Sequence, residues 1–314
     1  LYDSIEDLTI HIEATELCGR SAETSYGFTR PTTVVELSGV GATGIGEDVT
    51  TDPSDHERFQ REGIDADLTG SYTFAEFSAR VAELGIVADG DWNEPGRARQ
   101  WALESAALNL GLRQADTSLG AVLGRSYDPV RFVVSLRLED PVSLAPIEGW
   151  RGVHPDLEFK LDVAPDWDSS FVDELSAIAG VRVLDFKAQY GDGDDERVTT
   201  DPDIYRAVVN AFPDAVFEDP ILDDVHRSSF DGHEQRISWD ARITGVESVR
   251  RLPFEPSWLN IKPARFGSVQ SLFDTIEYAL SRGMRLYGGG MFEQDRGRNH
   301  LHALASLFYP DGPN

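Results

Sequence analysis

VRVLDFKAQY, residues 181–190, reads as a short apolar strand that ends in charge, and six other runs have the same texture. They are VRFVVSLRL (130–138), LEFKLDVA (157–164), DAVFEDP (214–220), RISWDARI (236–243), WLNIKPA (258–264) and MRLYGGG (284–290). Helically spaced stretches lie between most of them: SSFVDELSAIAG, DPDIYRAVVNAF, VESVRRL and SVQSLFDTIEYALSRG. With Val133, Lys160, Asp185, Glu218, Asp240, Lys262 and Tyr287 as markers, the steps are 27, 25, 33, 22, 22 and 25 residues. Strand and helix alternating at a near-constant period predict a parallel α/β sheet, and seven units suit a closed barrel better than an open sheet. The longest step comes from GDGDDERVTTDP (191–202), which reads as a solvated acidic loop.

Ahead of this series the texture is α+β. Residues 8–17 alternate apolar and polar and read as a strand, as do 32–39 and 41–49, joined at a glycine turn. Residues 19–31 read as a loop rich in Gly, Ser and Thr, and 51–71 as polar and unpatterned. TFAEFSARVAELG (73–85) is a predicted helix with Thr73 as N-cap and Gly85 as stop, followed by a stronger helix over 98–115. The expected division is an α+β unit over 1–97 and a barrel over 98–314.

Composition narrows the function. The 314 residues carry 28 basic and 55 acidic side chains, a formal charge of −27, with the acidic residues spread along the chain. Such a surface repels nucleic acid and anionic membrane, so neither is an expected partner. Cys18 is the single cysteine, which excludes an intrachain disulfide or a cysteine-rich metal site. No apolar run approaches 18 residues, and the expected location is cytoplasmic. Among the basic residues only Lys160, Lys187 and Lys262 are lysines, and all three lie in predicted strands. Arginine replaces a surface lysine readily but cannot lose and regain a proton at working pH. Three lysines spared in strands therefore point to chemistry.

Five polar residues, Lys160, Asp185, Glu218, Asp240 and Lys262, fall in five successive strands. Catalytic groups of a (β/α) barrel stand at the C-terminal ends of different strands. Three carboxylates on neighbouring strands repel one another unless a cation sits among them, and an all-oxygen set suits Mg²⁺. Lysines flanking such a cation can act as bases near neutrality, and a metal-held carboxylate stabilises the enediolate left when the adjacent carbon loses a proton.

TTVVELSGVGATGIGED, ALESAALNLGLRQADTSLGAVLG, VFEDP, SWDARI, LNIKPARFG and GGGMFEQDRGR, in that order, together resemble the enolase superfamily, and within it the muconate-lactonising and o-succinylbenzoate-synthase branch. The resemblance implies a modified (β/α)7β TIM-like barrel under an N-terminal α+β capping domain. It implies Mg²⁺ on Asp185, Glu218 and Asp240, with Lys160 and Lys262 as acid and base. The activity implied is isomerisation, cycloisomerisation or elimination of a small carboxylate, with the 19–31 loop closing over it. Glu293 matches a glutamate common near the last barrel strand, and with Asp162 it is a candidate for substrate binding. The resemblance also admits a homo-oligomer.

Two positions depart from the pattern. Where the branch has Lys-x-Lys, this chain has Lys160-Leu161-Asp162 preceded by Glu158, and Lys160 aligns with either lysine of the pair. Where it has Asp-x-Asn, this chain has Asp185-Phe186-Lys187. Alternation puts Lys187 on the face of Asp185, as a substitute base, a clamp for a substrate carboxylate, or the ion-pair partner of Asp162. The missing lysine leaves a second reading open, a barrel that has lost turnover and binds a metal or metabolite.

Overall fold

A computed structural model describes residues 1–24, 27–87, 95–138, 141–189, 198–294 and 296–314. Tyr26, Tyr190 and residues 191–197 of the acidic loop lie outside the described residues. The N-terminal part has two small antiparallel sheets. One pairs β1 (Thr9–Ile12) with β5 (Gly70–Thr73), and the other has the order β2 (Ala14–Glu23), β3 (Thr29–Gly39), β4 (Ala42–Asp48). Three helices accompany them: α1 (Pro53–Glu62), α2 (Phe74–Glu83) and α3 (Pro95–Gln114).

Local chemistry explains most of these boundaries. Val40 and Gly41 both take positive φ, 51° and 73°, which is the two-residue turn that matches hairpin twist. Thr73 caps α2 as predicted: its hydroxyl accepts the Glu76 N–H while the Glu76 carboxylate accepts the Thr73 N–H. Asp52 caps α1, with Pro53 in the first turn.

Three expectations are corrected. The strand predicted over 8–17 breaks at Glu13, where the chain leaves the β5 partner and joins β3. Most of the predicted 19–31 loop is paired strand, with Gly19 opposite Thr33 and Glu23 opposite Thr29. Composition concealed this, because Pro31 lies beyond the reach of β4 and its missing N–H breaks no ladder. The stretch 51–71, read as unpatterned, contains α1.

From residue 133 the seven predicted strands are all present and parallel, in sequential order: β6 (Val133–Arg137), β7 (Glu158–Asp162), β8 (Val181–Asp185), β9 (Val216–Glu218), β10 (Ile237–Trp239), β11 (Trp258–Ile261) and β12 (Arg285–Gly288). The short helix α4 (Leu119–Leu123) precedes them, and α5 (Ala145–Val153), α6 (Ser169–Ser176), α7 (Pro202–Ala211), α8 (Val246–Arg250), α9 (Val269–Ser281) and α10 (Arg296–Phe308) follow every strand but β9, after which the chain makes two 3-10 turns (Arg227–Phe230 and Glu234–Arg236). Period-2 alternation sorts the side chains. Phe159, Leu161, Leu184, Phe217, Trp239, Leu259, Ile261 and Leu286 are buried in the main apolar core. The other face carries a separate apolar group of Val183, Val216 and Tyr287, against which Trp258 packs.

The eighth position belongs to the segment after α10. The Arg131 N–H donates to Pro310 O at 2.9 Å, the Val133 N–H to Asn314 O at 2.8 Å, and the Gly288 N–H to Asn314 Oδ1 at 2.6 Å. Residues 310–314 thus bridge the β6 and β12 edges of the sheet, so seven β/α units and a closing segment make the curled barrel.

Helix α3 ties the two parts together. Its small residues lie on β4 at Gly44 and Gly46, where a Cβ would strike the backbone of Ala106 and Ala102. From the same helix the buried Glu104 carboxylate accepts Ser78 Oγ of α2 at 2.9 Å and the Val269 N–H, the first residue of α9, at 2.8 Å. Burial raises its pKa, against these hydrogen bonds. Glu104→Ala removes the acceptor of the Ser78 hydroxyl, the Gln100 amide and the Val269 N–H and is expected to destabilise the chain by about 2–4 kcal/mol. Glu104→Gln, which keeps an acceptor, is expected to cost less, and urea unfolding of both variants tests the pair.

Candidate active site

Alternation places the predicted polar residues on one face of successive strands. Asp162, Asp185 and Glu218 are in direct register across β7, β8 and β9, and Glu218 faces Ser238 of β10 two residues before Asp240. Each ends its strand or follows it, so they collect at the C-terminal mouth of the barrel. Asp185, Glu218 and Asp240 have no solvent exposure.

The three lysines of the chain converge on these carboxylates. Lys160 Nζ bonds Glu218 and lies 3.1 Å from Asp185. Lys187 Nζ bonds Asp185 and lies 3.1 Å from Asp162. Lys262 Nζ donates to Asp240 at 2.7 Å. The lysine side chains are 12%, 29% and 13% exposed, so a ligand entering the mouth meets ammonium groups before carboxylates.

Arg265, Asn260, Ser238 and Asp219 join the site without having been singled out in the sequence, as does Tyr287, which served there only to mark a strand. The buried Arg265 guanidinium bonds Asp240, Asn260 Nδ2 donates to Glu218 at 3.2 Å, and the Tyr287 hydroxyl bonds Glu218 and lies 2.8 Å from Ser238 Oγ. Strand alternation could have found Asn260, two residues before Lys262. Arg265 lies on the turn after β11, where period-2 counting stops. Asp219, with φ of 47°, points away along the chain and accepts the N–H groups of Asp240 and Ala241.

This crowding sets the electrostatics. Burial alone would lower the Lys160 ammonium, but Asp185 and Glu218 outweigh it and hold it firmly protonated. Burial dominates at Lys262; Asp240 opposes it, while Arg265 and Lys160 reinforce it, and the net effect is a pKa below the usual lysine range. Burial opposes ionisation of Asp185 and Asp240 too, yet Lys160 and Lys187 on the first, and Arg265 and Lys262 on the second, keep both ionised well below the usual carboxylate range. Burial and the neighbouring Asp185 push Glu218 up, and burial with Asp240 does the same to Asp219.

The rim of the mouth is shared with the N-terminal part. Arg30 of β3 donates to Val49 O at 2.5 Å and to Met291 O at 3.4 Å. Glu47 of β4 accepts the N–H groups of Gln294 at 2.9 Å and Gly297 at 3.0 Å. The ring of Phe28, at the β2–β3 hairpin, meets Phe292 edge-on with centroids 5.4 Å apart. The hairpin therefore rests on the loop after β12. That loop is Gly-rich for a reason: a Cβ on Gly289 would stand 2.9 Å from Lys262 Cε and 3.0 Å from Asn260 Oδ1.

Glu293 lies in the same loop, buried, its Oε2 accepting the Met291 N–H at 2.7 Å and its Oε1 without a hydrogen-bond partner among the described residues.

The donor set has the all-oxygen chemistry that a hard divalent cation requires. Its arrangement does not suit one. Asp185 takes the Lys187 N–H on Oδ1 and two ammonium groups on Oδ2; Glu218 takes Lys160 on Oε1 and Asn260 with Tyr287 on Oε2; Asp240 takes Arg265 on Oδ1 and Lys262 on Oδ2. Among the described residues, no group of three or more His, Cys, Asp or Glu side chains is arranged to hold a metal ion.

Comparisons with known proteins agree with this architecture. A profile described as the C-terminal domain of DUF8230, a domain of unknown function, matches residues 126–314, and the corresponding N-terminal domain matches 3–122. The chain belongs to the DUF8230 family. Its fold is that of the enolase superfamily. A Listeria innocua member of that superfamily superposes with a TM-score of 0.71 at 20% identity, over 97% of this chain and 85% of the other. A muconate lactonizing enzyme gives 0.70 at 21% identity, over 95% and 85%. A dipeptide epimerase from Methylococcus capsulatus, solved in complex with a Mg ion, gives 0.69 at 17% identity, over 95% and 88%. A comparison with curated protein sequences gives no match. No helix among the described residues is long and apolar enough to cross a membrane.

Glu293 offers a pH test of the site. Burial raises its pKa from 4.5 to about 7. The folded chain then holds a proton that the unfolded chain releases, so stability falls as pH rises from about 4.5 through 7, by about 3 kcal/mol at most. Glu293→Gln removes this contribution, and the gap between variant and parent in urea unfolding is expected to widen steadily over that window.

Proposed function

We propose that this protein is an acid–base enzyme that removes a proton from the carbon next to a carboxylate of a small organic acid, using lysines on opposite sides of the barrel mouth. One observation carries the reading. Lys160 on β7 and Lys262 at the end of β11 stand four positions apart in an eight-position barrel, and both reach the same buried carboxylate cluster. A substrate between them presents one face to each.

Their environments divide the work. Lys262, held below the usual lysine range by burial, is the group able to accept the proton. Lys160 stays charged between Asp185 and Glu218 and is suited to give a proton to the opposite face. In the first step the α C–H bond breaks, its proton goes to Lys262 Nζ, and the electron pair moves into the carboxylate as an enediolate. Lys160 and Lys187 offset the added negative charge. Return of a proton from Lys160 gives the epimer. Loss of a β-leaving group, or ring opening or closure, gives the lyase or cycloisomerase outcome, and fold alone does not choose among them. The carboxylate oxygens that would hold the Mg²⁺ implied by the sequence resemblance are already paired with side chains of the protein, and these steps need only the protein's own groups. Names such as lactonizing enzyme and epimerase among the matched folds accord with proton transfer.

A second reading, a barrel that binds an anion without turnover, draws support from the single lysine, Lys160, where the resembled branch has a Lys-x-Lys pair, and from the Asp162 carboxylate two residues on, 3.1 Å from Lys187. Deuterium wash-in separates the two. In heavy water, a panel of small carboxylates followed by proton NMR is expected to include one whose α-hydrogen exchanges. Lys262→Arg, which keeps the charge but cannot serve as a base, is expected to slow that exchange by roughly 10²–10⁴-fold. Binding of a panel member with no exchange by the parent protein favours the second reading.

A further inference from the structure

The carboxylates gathered at the barrel mouth are neutralised from within the chain, and we propose that Lys187 is a built-in replacement for a divalent cation at this site. The proposal goes beyond the proton-transfer reading and does not depend on it, because cation binding is measured without turnover.

Three observations carry it. The first is backbone geometry. Lys187 adopts φ of 57°, a left-handed conformation that is strained for a residue with a Cβ. That conformation turns residue 187 back over the end of β8, so that its N–H reaches Asp185 Oδ1 at 3.0 Å while its ammonium reaches Oδ2 of the same carboxylate. Both oxygens of one strand-end aspartate are thus engaged by a single residue two positions on.

The second is bridging. The Lys187 ammonium also lies 3.1 Å from Asp162, which ends the neighbouring strand in register with Asp185. A point charge shared by carboxylates of two strands is the role a bound cation would otherwise fill.

The third is charge balance. The carboxylates of Asp162, Asp185, Glu218 and Asp240 are met by the cations Lys160, Lys187 and Arg265, with Arg137 in register opposite Asp162 and Lys262 a further donor to Asp240. Two further positive charges would enter a cluster already supplied with its counter-ions. An incoming carboxylate instead meets Lys160 and Lys187 at the exposed side of the cluster. The site therefore takes a small carboxylate anion with no metal bridge.

The test is Mg²⁺ titration calorimetry on the whole chain, with unfolding temperature measured in MgCl₂ and in NaCl of matched ionic strength. Matching matters because a chain of charge −27 is stabilised by any salt through screening. The wild-type protein is expected to show no saturable Mg²⁺ isotherm and equal unfolding temperatures in the two salts. Lys187→Gln is expected to gain a saturable single-site isotherm and a rise in unfolding temperature specific to MgCl₂. If Lys187→Gln does not fold, the pair Asp162→Asn with Lys187→Gln removes both partners of one bridge and leaves Asp185 open, with the same gain expected. Saturable Mg²⁺ binding by the wild-type chain would overturn the proposal. So would the failure of both variants to gain it, since Lys187 would then not be what occupies the cation's place.

Discussion

A carboxylate at the end of a buried strand is stable only beside a positive charge, and this molecule places several of them side by side. Parallel strands in sequential order bring equivalent positions of neighbouring strands together, so Asp162, Asp185 and Glu218 have to be adjacent once the register is set. Leaving any one of them ionised and unpaired in a medium of low dielectric would cost several kcal/mol. The lysines and Arg265 thus do structural work, holding the strand ends together. Without these positions the strand ends could not lie so close.

That dependence gives the site its order. Carboxylates lie at the bottom with no exposure, ammonium groups above them are partly exposed, and the hairpin that ends at Phe28 rests on the rim at Phe292. Each layer fixes the one above it. Asp240 is held by Arg265 from below and in turn orients Lys262; Glu218 is held by Tyr287 and Asn260 and in turn orients Lys160. A small anion entering the mouth would find its partners already oriented, which is the condition for electrostatic stabilisation without reorganisation.

Most of the barrel was legible in the sequence because its signals are local and repeated. Short apolar runs, most of them ending in charge and spaced by helical stretches, recur in all seven strands, and a repeat of that length averages out errors at single boundaries. The site residues on strands were legible for the same reason, since period-2 alternation fixes which side chains share a face. What escaped was non-local. The pairing of Gly19–Glu23 with Thr29–Thr33 depends on a partner strand and not on composition. Arg265 sits where the chain leaves its strand and periodicity ends. Closure of the barrel by residues 310–314 rests on backbone and asparagine hydrogen bonds to strands far away in the chain, which no pattern in PDGPN announces. The three lysines were the most informative single feature, because their scarcity elsewhere made their positions stand out. Their convergence on one cluster is a geometric fact that rarity could suggest but not supply.

That scarcity has a practical corollary. With every ε-amine of the chain in one mouth, the polypeptide carries no background of surface amines besides its N-terminus. Among its lysines an acylating probe would label only the site, favouring the amine least committed to its proton. The extent of labelling at each lysine, read by peptide mass, would then report which of the ion pairs a bound ligand opens and which it shields. In most enzymes such a footprint must be engineered by stripping lysines away, whereas this sequence arrives with the stripping already done.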